Sequence, residues 1–219
     1  ERQIDLTGTI DFHLHTAPDV RPRKLDDFEA ARQAAARGMR AILLKSHVTH
    51  TADRAALAER VVPGVRLFGG LALNQPVGGF NPAAVETALR LGAAQIWMPT
   101  ESAAAEPHPK PPPGLSVLDE HGLRPEIAEI LRLIAEHNAI LGTGHLSPAE
   151  TLQLMPAAHA AGVRKIVITH PEHPPVEMPP LKWTPIGASW WRGRRSGETR
   201  PLSLTIRLPT WFGSALAIA

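Results

Sequence analysis

The feature that constrains this chain most is a regular alternation of short apolar segments with longer amphipathic ones. The predicted strands begin at residues 9, 40, 65, 95, 139 and 165, and the segments between them carry apolar residues at helical spacing. Three predicted helices have proline in the first turn, at Pro82, Pro125 and Pro148. Six strand–helix alternations favour a parallel sheet with helical crossovers. We therefore predict an α/β protein with the fold of a TIM-like (β/α) barrel.

The last part of the chain departs from this pattern. Beyond Thr169 the chain is barely long enough for the two further units of a complete barrel, and it shows no amphipathic helix. Four of the five tryptophans follow Lys182, together with five arginines and a single acidic residue, Glu198. We predict a barrel domain over residues 1–181, incomplete or distorted at its C-terminal end, followed by an atypical basic, Trp-rich segment over residues 182–219.

The composition of the chain indicates which classes of partner and which cellular compartment to expect. The chain has no cysteine, which excludes disulfides, thiolate nucleophiles and cysteine–zinc sites. The basic balance comes from the C-terminal segment alone, so we expect no nucleic-acid partner. No apolar run approaches the roughly 20 residues of a membrane helix, and the N-terminus lacks the apolar core of a secretory signal. We expect a cytoplasmic protein with no membrane partner, and the exposed sheet edge of an unclosed barrel would favour a homo-oligomer.

The strongest local signal is the sequence Asp11-Phe12-His13-Leu14-His15, at the end of the first predicted strand. Side chains two residues apart on a strand share a face. The two imidazoles would therefore project together, about 6–7 Å apart along the strand. Such a pair can bind one divalent ion or two adjacent ions.

The same kind of feature follows other predicted strands. Lys45-Ser46-His47 follows the second strand, His145 the fifth and His170 the sixth. In a parallel barrel the carboxyl ends of the strands meet at one rim. The sequence thus predicts a metal site at this rim, with the candidate ligands His13, His15, His47, His145 and His170.

Other polar residues are predicted near the same rim. Lys45 would serve as a ligand or bridge if it were neutral or carboxylated by carbon dioxide, whereas an ordinary charged Lys45 would bind an anionic substrate group. Arg21 and Arg23, just after His15, are candidate substrate contacts or solvated loop residues. Asn74, after the third strand, is a further candidate substrate contact.

This pattern resembles the amidohydrolase superfamily of metal-dependent hydrolases, including its small uncharacterised bacterial branches. The resemblance covers roughly Ile4 to Pro175 and rests on His13-Leu14-His15, His145 and His170. It implies a (β/α) barrel that holds one or two divalent ions, often zinc, with those four histidines as ligands. The implied activity is hydrolysis of an amide, ester or lactone bond of a small molecule by a metal-activated water.

Two departures from the superfamily's pattern leave the proton acceptor open. The best-known members carry a carboxylated lysine after the fourth strand, where this chain has Met98-Pro99-Thr100-Glu101, and Glu101 is a candidate bridging carboxylate in its place. No aspartate follows Asp119, so the aspartate that the superfamily places after an eighth strand is missing. The proton acceptor is then a histidine, Glu101 or Glu172.

Two other interpretations stay open. The polymerase-and-histidinol-phosphatase family also opens with His-x-His, and a likeness to it would imply a metal-dependent phosphoesterase. Lys45-Ser46-His47 supplies that family's histidine after the second strand but lacks its aspartate. The missing C-terminal aspartate is also compatible with a catalytically silent metal-binding relative.

Overall fold

The computed structural model describes residues 4–107, 113–171 and 176, together with two short strands at 204–205 and 216–217. The chain divides into two compact units that interleave in sequence. Unit 1 comprises Glu1–Leu44, Arg54–Phe68 and Pro180–Ala219, and unit 2 comprises Lys45–Asp53 and Gly69–Pro179. Apart from its two short strands, the predicted segment 182–219 lies outside the described residues.

Helices and strands alternate along most of the described chain. The elements in chain order are β1 (Ile10–His15), α1 (Asp27–Ala36), β2 (Ala41–Lys45), α2 (Ala52–Val61), β3 (Arg66–Phe68), β4 (Gly70–Ala72), a 3₁₀ turn (Gln75–Val77), α3 (Pro82–Arg90), β5 (Gln95–Trp97), β6 (Leu118–Asp119), β7 (Gly122–Leu123), α4 (Pro125–Glu136), β8 (Ile140–Gly142), α5 (Pro148–Ala160), β9 (Ile166–Val167), β10 (Leu204–Thr205) and β11 (Leu216–Ala217).

Unit 1 is built around a sheet with the strand order β10-β11-β1-β2-β3. β1 and β11 are parallel, as are β2 and β3, whereas β10 and β11 are antiparallel. Alanines on one face of α1 and of α2 pack against Ile42 and Leu44 of β2 and form the core of this unit. β2 is buried along its whole length, and its first four residues form the continuous apolar run that is typical of a central parallel strand.

Unit 2 contains a second sheet, β4-β5-β8-β9, in which every neighbouring pair is parallel. The apolar face of α4, including Ile127, Ile130 and Leu131, belongs to the main core of this unit. The carboxyl ends of these strands therefore point the same way, and the loops that follow them carry the polar residues of unit 2.

Local sequence signals set where the helices begin. Asp26 and Ser147 form capping boxes with Glu29 and Glu150, and the Asn81 side chain accepts from the backbone N–H of Ala84. Pro82, Pro125 and Pro148 occupy first-turn positions, where their missing N–H has no helical partner to lose. In the described part of the chain, no helix combines the length and the apolar character needed to cross a membrane.

The alternation predicted from sequence is confirmed, and the protein is an α/β protein with parallel sheets. One predicted strand, over residues 65–73, is instead broken into β3 and β4 at Gly69. The backbone of Thr51 and Ala52 lies so close to Gly69 that a Cβ would overlap it, and β4 pairs with β5 of unit 2. The antiparallel hairpin β6–β7 was not predicted, since its two-residue strands are too short to give a periodic signal.

Candidate active site

The two histidines of β1 meet through their ring nitrogens. The Nε2 atoms of His13 and His15 lie 3.2 Å apart, and the ring centroids are separated by 5.2 Å. Two nitrogens that bind one tetrahedral zinc ion at about 2.0–2.1 Å are about 3.3 Å apart. The two side chains share a face of β1 and lie within hydrogen-bond distance of each other, and their role as metal ligands stays a prediction.

A buried ion pair in unit 1 holds the chain that follows this histidine pair. Asp27, only 6% exposed, accepts two hydrogen bonds from the Arg54 guanidinium at 2.8 and 2.9 Å. The Thr16 hydroxyl donates to the same carboxylate, and Arg54 also donates to the carbonyl oxygen of Pro18. This network fixes the backbone immediately after His15.

Three more histidines come together at strand ends of unit 2. His47 follows β2, His145 follows β8 and His170 follows β9. The His145 ring centroid lies 6.5 Å from that of His47 and 5.7 Å from that of His170. The parallel pair β8–β9 places His145 beside His170, and the loop after β2 brings in His47, which is about 100 positions from His145 in sequence.

His145 is buried and oriented by a carboxylate. Its Nδ1 atom is paired with Glu106 Oε1, and its backbone N–H donates to the carbonyl oxygen of Pro99 at 2.8 Å. Metal-binding histidines usually make this kind of contact to a carboxylate through the ring nitrogen that does not face the ion. Glu106 could not be recognised from the sequence, because it lies 39 positions from its partner and no local motif links the two residues.

His47 has a polar contact at each ring nitrogen. Nδ1 lies 2.8 Å from the Thr100 hydroxyl, and Nε2 lies 3.3 Å from Glu101 Oε1. Glu101 thus lies beside an imidazole nitrogen, and its role as a bridging carboxylate stays a prediction. These contacts favour a role for His47 other than metal ligand, since both nitrogens already face protein groups.

Asn74 is part of the site but is not placed to contact a substrate, which corrects the role predicted for it. Its side chain is buried, at 1% exposure, and makes four hydrogen bonds. Its NH₂ group donates to the carbonyl oxygen of His47 and to the Thr100 hydroxyl, and its Oδ1 accepts from the backbone N–H groups of Thr100 and Ser102. Two donors and two acceptors are the full capacity of an amide.

Lys45 is an amine held inside unit 2. The residue is 1% exposed, and its Nζ atom lies 5.2 Å from the centre of the Trp97 ring. Burial lowers the pKa of Lys45 to about 7, against the opposing effect of the Glu101 carboxylate. At neutral pH a large fraction of this amine is therefore uncharged. Trp97, which the sequence analysis passed over, fills the space beside Gly70 and Gly142, where a Cβ would overlap its ring.

The two arginines predicted to contact substrate lie on the loop after β1. The Arg23 guanidinium pairs with Asp19 through contacts of 2.7 and 2.6 Å, and Arg21 is exposed. Burial acts to raise the pKa of Asp19, but the hydrogen bond and the charge of Arg23, with backbone N–H groups, outweigh it and lower that pKa. Asp19 stays ionised, so the charge of Arg23 is largely compensated by its neighbour.

The described residues contain no preassembled set of metal ligands, and the metal site stays a prediction. Over residues 4–107, 113–171 and 176, no group of three or more His, Asp or Glu side chains is arranged to hold a metal ion. The carboxylate partner of His145 is of the kind that metal-binding imidazoles usually have, whereas the 3.2 Å between the His13 and His15 nitrogens is a hydrogen-bond distance. Glu172, the remaining candidate proton acceptor, lies outside the described residues.

Fold and site together define an α/β protein with parallel strands whose carboxyl ends carry clustered histidines and carboxylates. Residues 8–185 match the DUF6282 family, a family of unknown function, and the chain belongs to it. No curated protein matches the chain.

Solved structures resemble the chain only distantly. A proposed deoxyribose-phosphate aldolase from Coccidioides immitis is 12% identical, with a TM-score of 0.45 over 74% of this chain and 59% of that one. A dihydropteroate synthase from Thermus thermophilus is 17% identical, with a TM-score of 0.36 over 76% and 60% of the two chains. An uncharacterized protein is 16% identical, with a TM-score of 0.38 over 73% and 46%. The chain thus spans about six-tenths or less of the length of these structures.

Proposed function

We propose that this protein is a metal-dependent hydrolase of the amidohydrolase type, built on a (β/α) barrel, that cleaves an amide, ester or lactone bond of a small molecule. The observation that carries the proposal is the buried imidazole of His145, which is paired with Glu106 and flanked by the rings of His47 and His170. Imidazole ligands are neutral, so they leave the full charge of a divalent ion available for catalysis.

The proposed ligands are His145 and His170 within unit 2 and, as a separate pair, His13 and His15 within unit 1, with zinc as the first candidate ion. When bound, such an ion supplies an activated water and polarises the carbonyl group that is attacked. Glu106 contributes by holding the Nδ1 side of His145, so that Nε2 is the nitrogen presented as a ligand.

In this proposal, Glu101 and Lys45 of unit 2 accept or donate protons at the site. Glu101, whose side chain is 32% exposed, is the carboxylate best placed to take a proton from an attacking water. The uncharged form of Lys45 adds no positive charge beside a cation and can donate or accept a proton. Burial of Lys45 beneath the Trp97 ring keeps bulk water from the amine.

The test is zinc content and turnover in matched histidine variants. We expect purified wild-type protein to retain zinc through dialysis and to hydrolyse members of an amide, ester and lactone panel. His145→Ala and His170→Ala should lose zinc and reduce turnover at least about 100-fold. His121→Ala, at a side chain that is 85% exposed, is the matched control and should change neither quantity.

Two results would redirect the proposal. Turnover of phosphate monoesters without turnover of the carbonyl panel would assign the phosphoesterase activity instead. Zinc-free protein, or zinc content equal in His145→Ala and His121→Ala, would overturn the metal-dependent hydrolase.

A further inference from the structure

The hydrogen bonds of Asn74 have a direction that the structure fixes without ambiguity. Its Oδ1 faces two backbone N–H groups, those of Thr100 and Ser102, at 2.8 and 3.1 Å. Its Nδ2 faces the carbonyl oxygen of His47 at 2.9 Å. An amide turned by 180° would set donor against donor and acceptor against acceptor, so the oxygen and nitrogen positions are determined.

The orientation of the Asn74 amide determines which way the Thr100 hydroxyl donates its hydrogen bond. Asn74 Nδ2 lies 2.7 Å from Thr100 Oγ1 and can only donate to it. Thr100 is fully buried, and among the described residues the remaining polar contact of its hydroxyl is His47 Nδ1, at 2.8 Å. A buried hydroxyl proton left without an acceptor would lose its hydrogen bond to water and gain none in return, which is strongly unfavourable. The proton therefore points at His47 Nδ1, which must accept it.

The tautomer of His47 follows from that acceptor role. A neutral imidazole whose Nδ1 accepts carries its proton on Nε2. In His47 that nitrogen faces Glu101 Oε1 at 3.3 Å, so the N–H is directed at the carboxylate. The hydrogen bonds run in one direction, from Asn74 through Thr100 and His47 to Glu101.

We propose that Asn74 and Thr100 are positioning residues that lock His47 in its Nε2–H tautomer, and that this tautomer orients Glu101 as the general base of the site. The first part stands on hydrogen-bond geometry alone, and the role of Glu101 as base rests on the proposed function. In the proton transfer, an O–H bond of the attacking water breaks, the proton moves to a Glu101 oxygen, and the hydroxide pair of electrons forms the new bond to the carbonyl carbon while the C=O π pair moves onto the carbonyl oxygen. When that pair re-forms the C=O bond, the bond to the leaving group breaks and Glu101 returns the proton to the leaving nitrogen or oxygen. His47 keeps its proton throughout and acts as a donor to the carboxylate.

Nitrogen NMR of the imidazoles tests the tautomer directly. The full chain would be labelled with ¹⁵N-histidine, freed of metal with chelator and studied at about pH 8, above the ordinary histidine pKa of about 6.5. The His47 signals are assigned from their loss in His47→Gln. We expect an unprotonated Nδ1 and a protonated Nε2 in wild-type protein.

Substitutions of Thr100 show whether its hydroxyl causes this state. Thr100→Val removes the hydroxyl at nearly constant shape. Because the Glu101 carboxylate also favours a proton on Nε2, the comparison is made in Glu101→Gln protein, where Thr100→Val should shift His47 toward Nδ1–H and Thr100→Ser should preserve the wild-type tautomer. Thr87→Val, at an exposed threonine of α3, is the control and should leave the spectrum unchanged. Should the double variant fail to fold, the wild-type spectrum still tests the tautomer, because a protonated Nδ1 would exclude it.

A protonated Nδ1 in wild-type protein, or the same tautomer in folded Glu101→Gln protein with and without Thr100→Val, would overturn the proposal. The measurement uses neither metal nor substrate, so its outcome is independent of whether the protein proves to be a hydrolase. If the tautomer is confirmed and no turnover is found, the first part of the proposal, the Nε2–H tautomer of His47, is retained. The general-base role of Glu101 is then rejected together with the proposed function.

Discussion

A buried lysine is the residue with the largest electrostatic consequence in this protein. Lys45 ends β2 with its amine against the face of Trp97, at 1% exposure. Removal of an ammonium from water disfavours its charged form, and the Glu101 carboxylate compensates only partly, which leaves its pKa at about 7 against an ordinary 10.5. The cost of burying this group therefore opposes folding in full below about pH 7 and decreases between pH 7 and about pH 10.

Replacement of Lys45 by methionine should stabilise the protein in a pH-dependent way. The unfolded chain holds the lysine proton up to about pH 10, whereas the folded protein releases it near pH 7, so wild-type stability rises relative to Lys45→Met across that window. We expect Lys45→Met to be more stable at pH 6, by up to roughly 4 kcal/mol, and this advantage to shrink progressively by pH 10. Urea unfolding of both proteins at several pH values measures the difference.

The control for this measurement is Lys24→Met, a substitution at an exposed position of unit 1. It should leave the difference from wild-type stability constant across the same pH values. A difference for Lys45→Met that does not vary between pH 6 and pH 10 would show that the amine is not desolvated in the folded protein.

Among the elements, the turn after β8 decides where the central imidazole lies. Gly144 adopts a φ of +62°, and a Cβ there would overlap the carbonyl oxygens of Met98 and Pro99. This close approach lets the next residue, His145, donate its backbone N–H to Pro99 and present its ring to Glu106. Glycine is required here for two separate reasons, its left-handed backbone and the absence of a side chain.

Gly144→Ala should therefore be far more damaging than an alanine at a glycine with the same backbone handedness. Gly92 also has a positive φ, +93°, but nothing lies within 4 Å of a Cβ placed there. We expect Gly92→Ala to reduce the free energy of unfolding by about 1–2 kcal/mol from backbone strain. Gly144→Ala should lose several kcal/mol because the clash adds to the strain, or expose His145 by moving it.

Denaturant unfolding compares the two variants, and the NMR signal of His145 reports its displacement. Equal losses of stability in Gly144→Ala and Gly92→Ala would mean that the turn relaxes to accommodate the new methyl group without a further loss of free energy. The placement of His145 would then not depend on this glycine.

At the scale of the whole molecule, most helices and parallel strands of the described chain could be predicted from sequence. The hairpin β6–β7 and the side-chain contacts between distant loops could not. Apolar period, capping residues and first-turn prolines locate α1 and α3 to α5 to within about two residues. The meeting of His13 and His15 also follows from sequence, because two positions along one strand share a face. Contacts such as Glu106 with His145, or Asn74 with Thr100, join loops distant in sequence and depend on the tertiary packing that positions those loops. The division into two units likewise has no local signal beyond Gly69.

A divalent ion bound only by the folded protein must raise the stability of the whole chain. The gain is RT ln(1 + [L]/Kd), or about 2.7 kcal/mol at a free zinc concentration 100 times Kd. We expect zinc to raise the melting temperature of wild-type protein and of His121→Ala equally, and calcium, which prefers oxygen ligands, to have little effect. The double variants His13→Ala/His15→Ala and His145→Ala/His170→Ala should each lose part or all of the shift, because each removes two proposed imidazole ligands. A zinc-induced shift that survives in both double variants would place the ion elsewhere and exclude these histidines as its ligands.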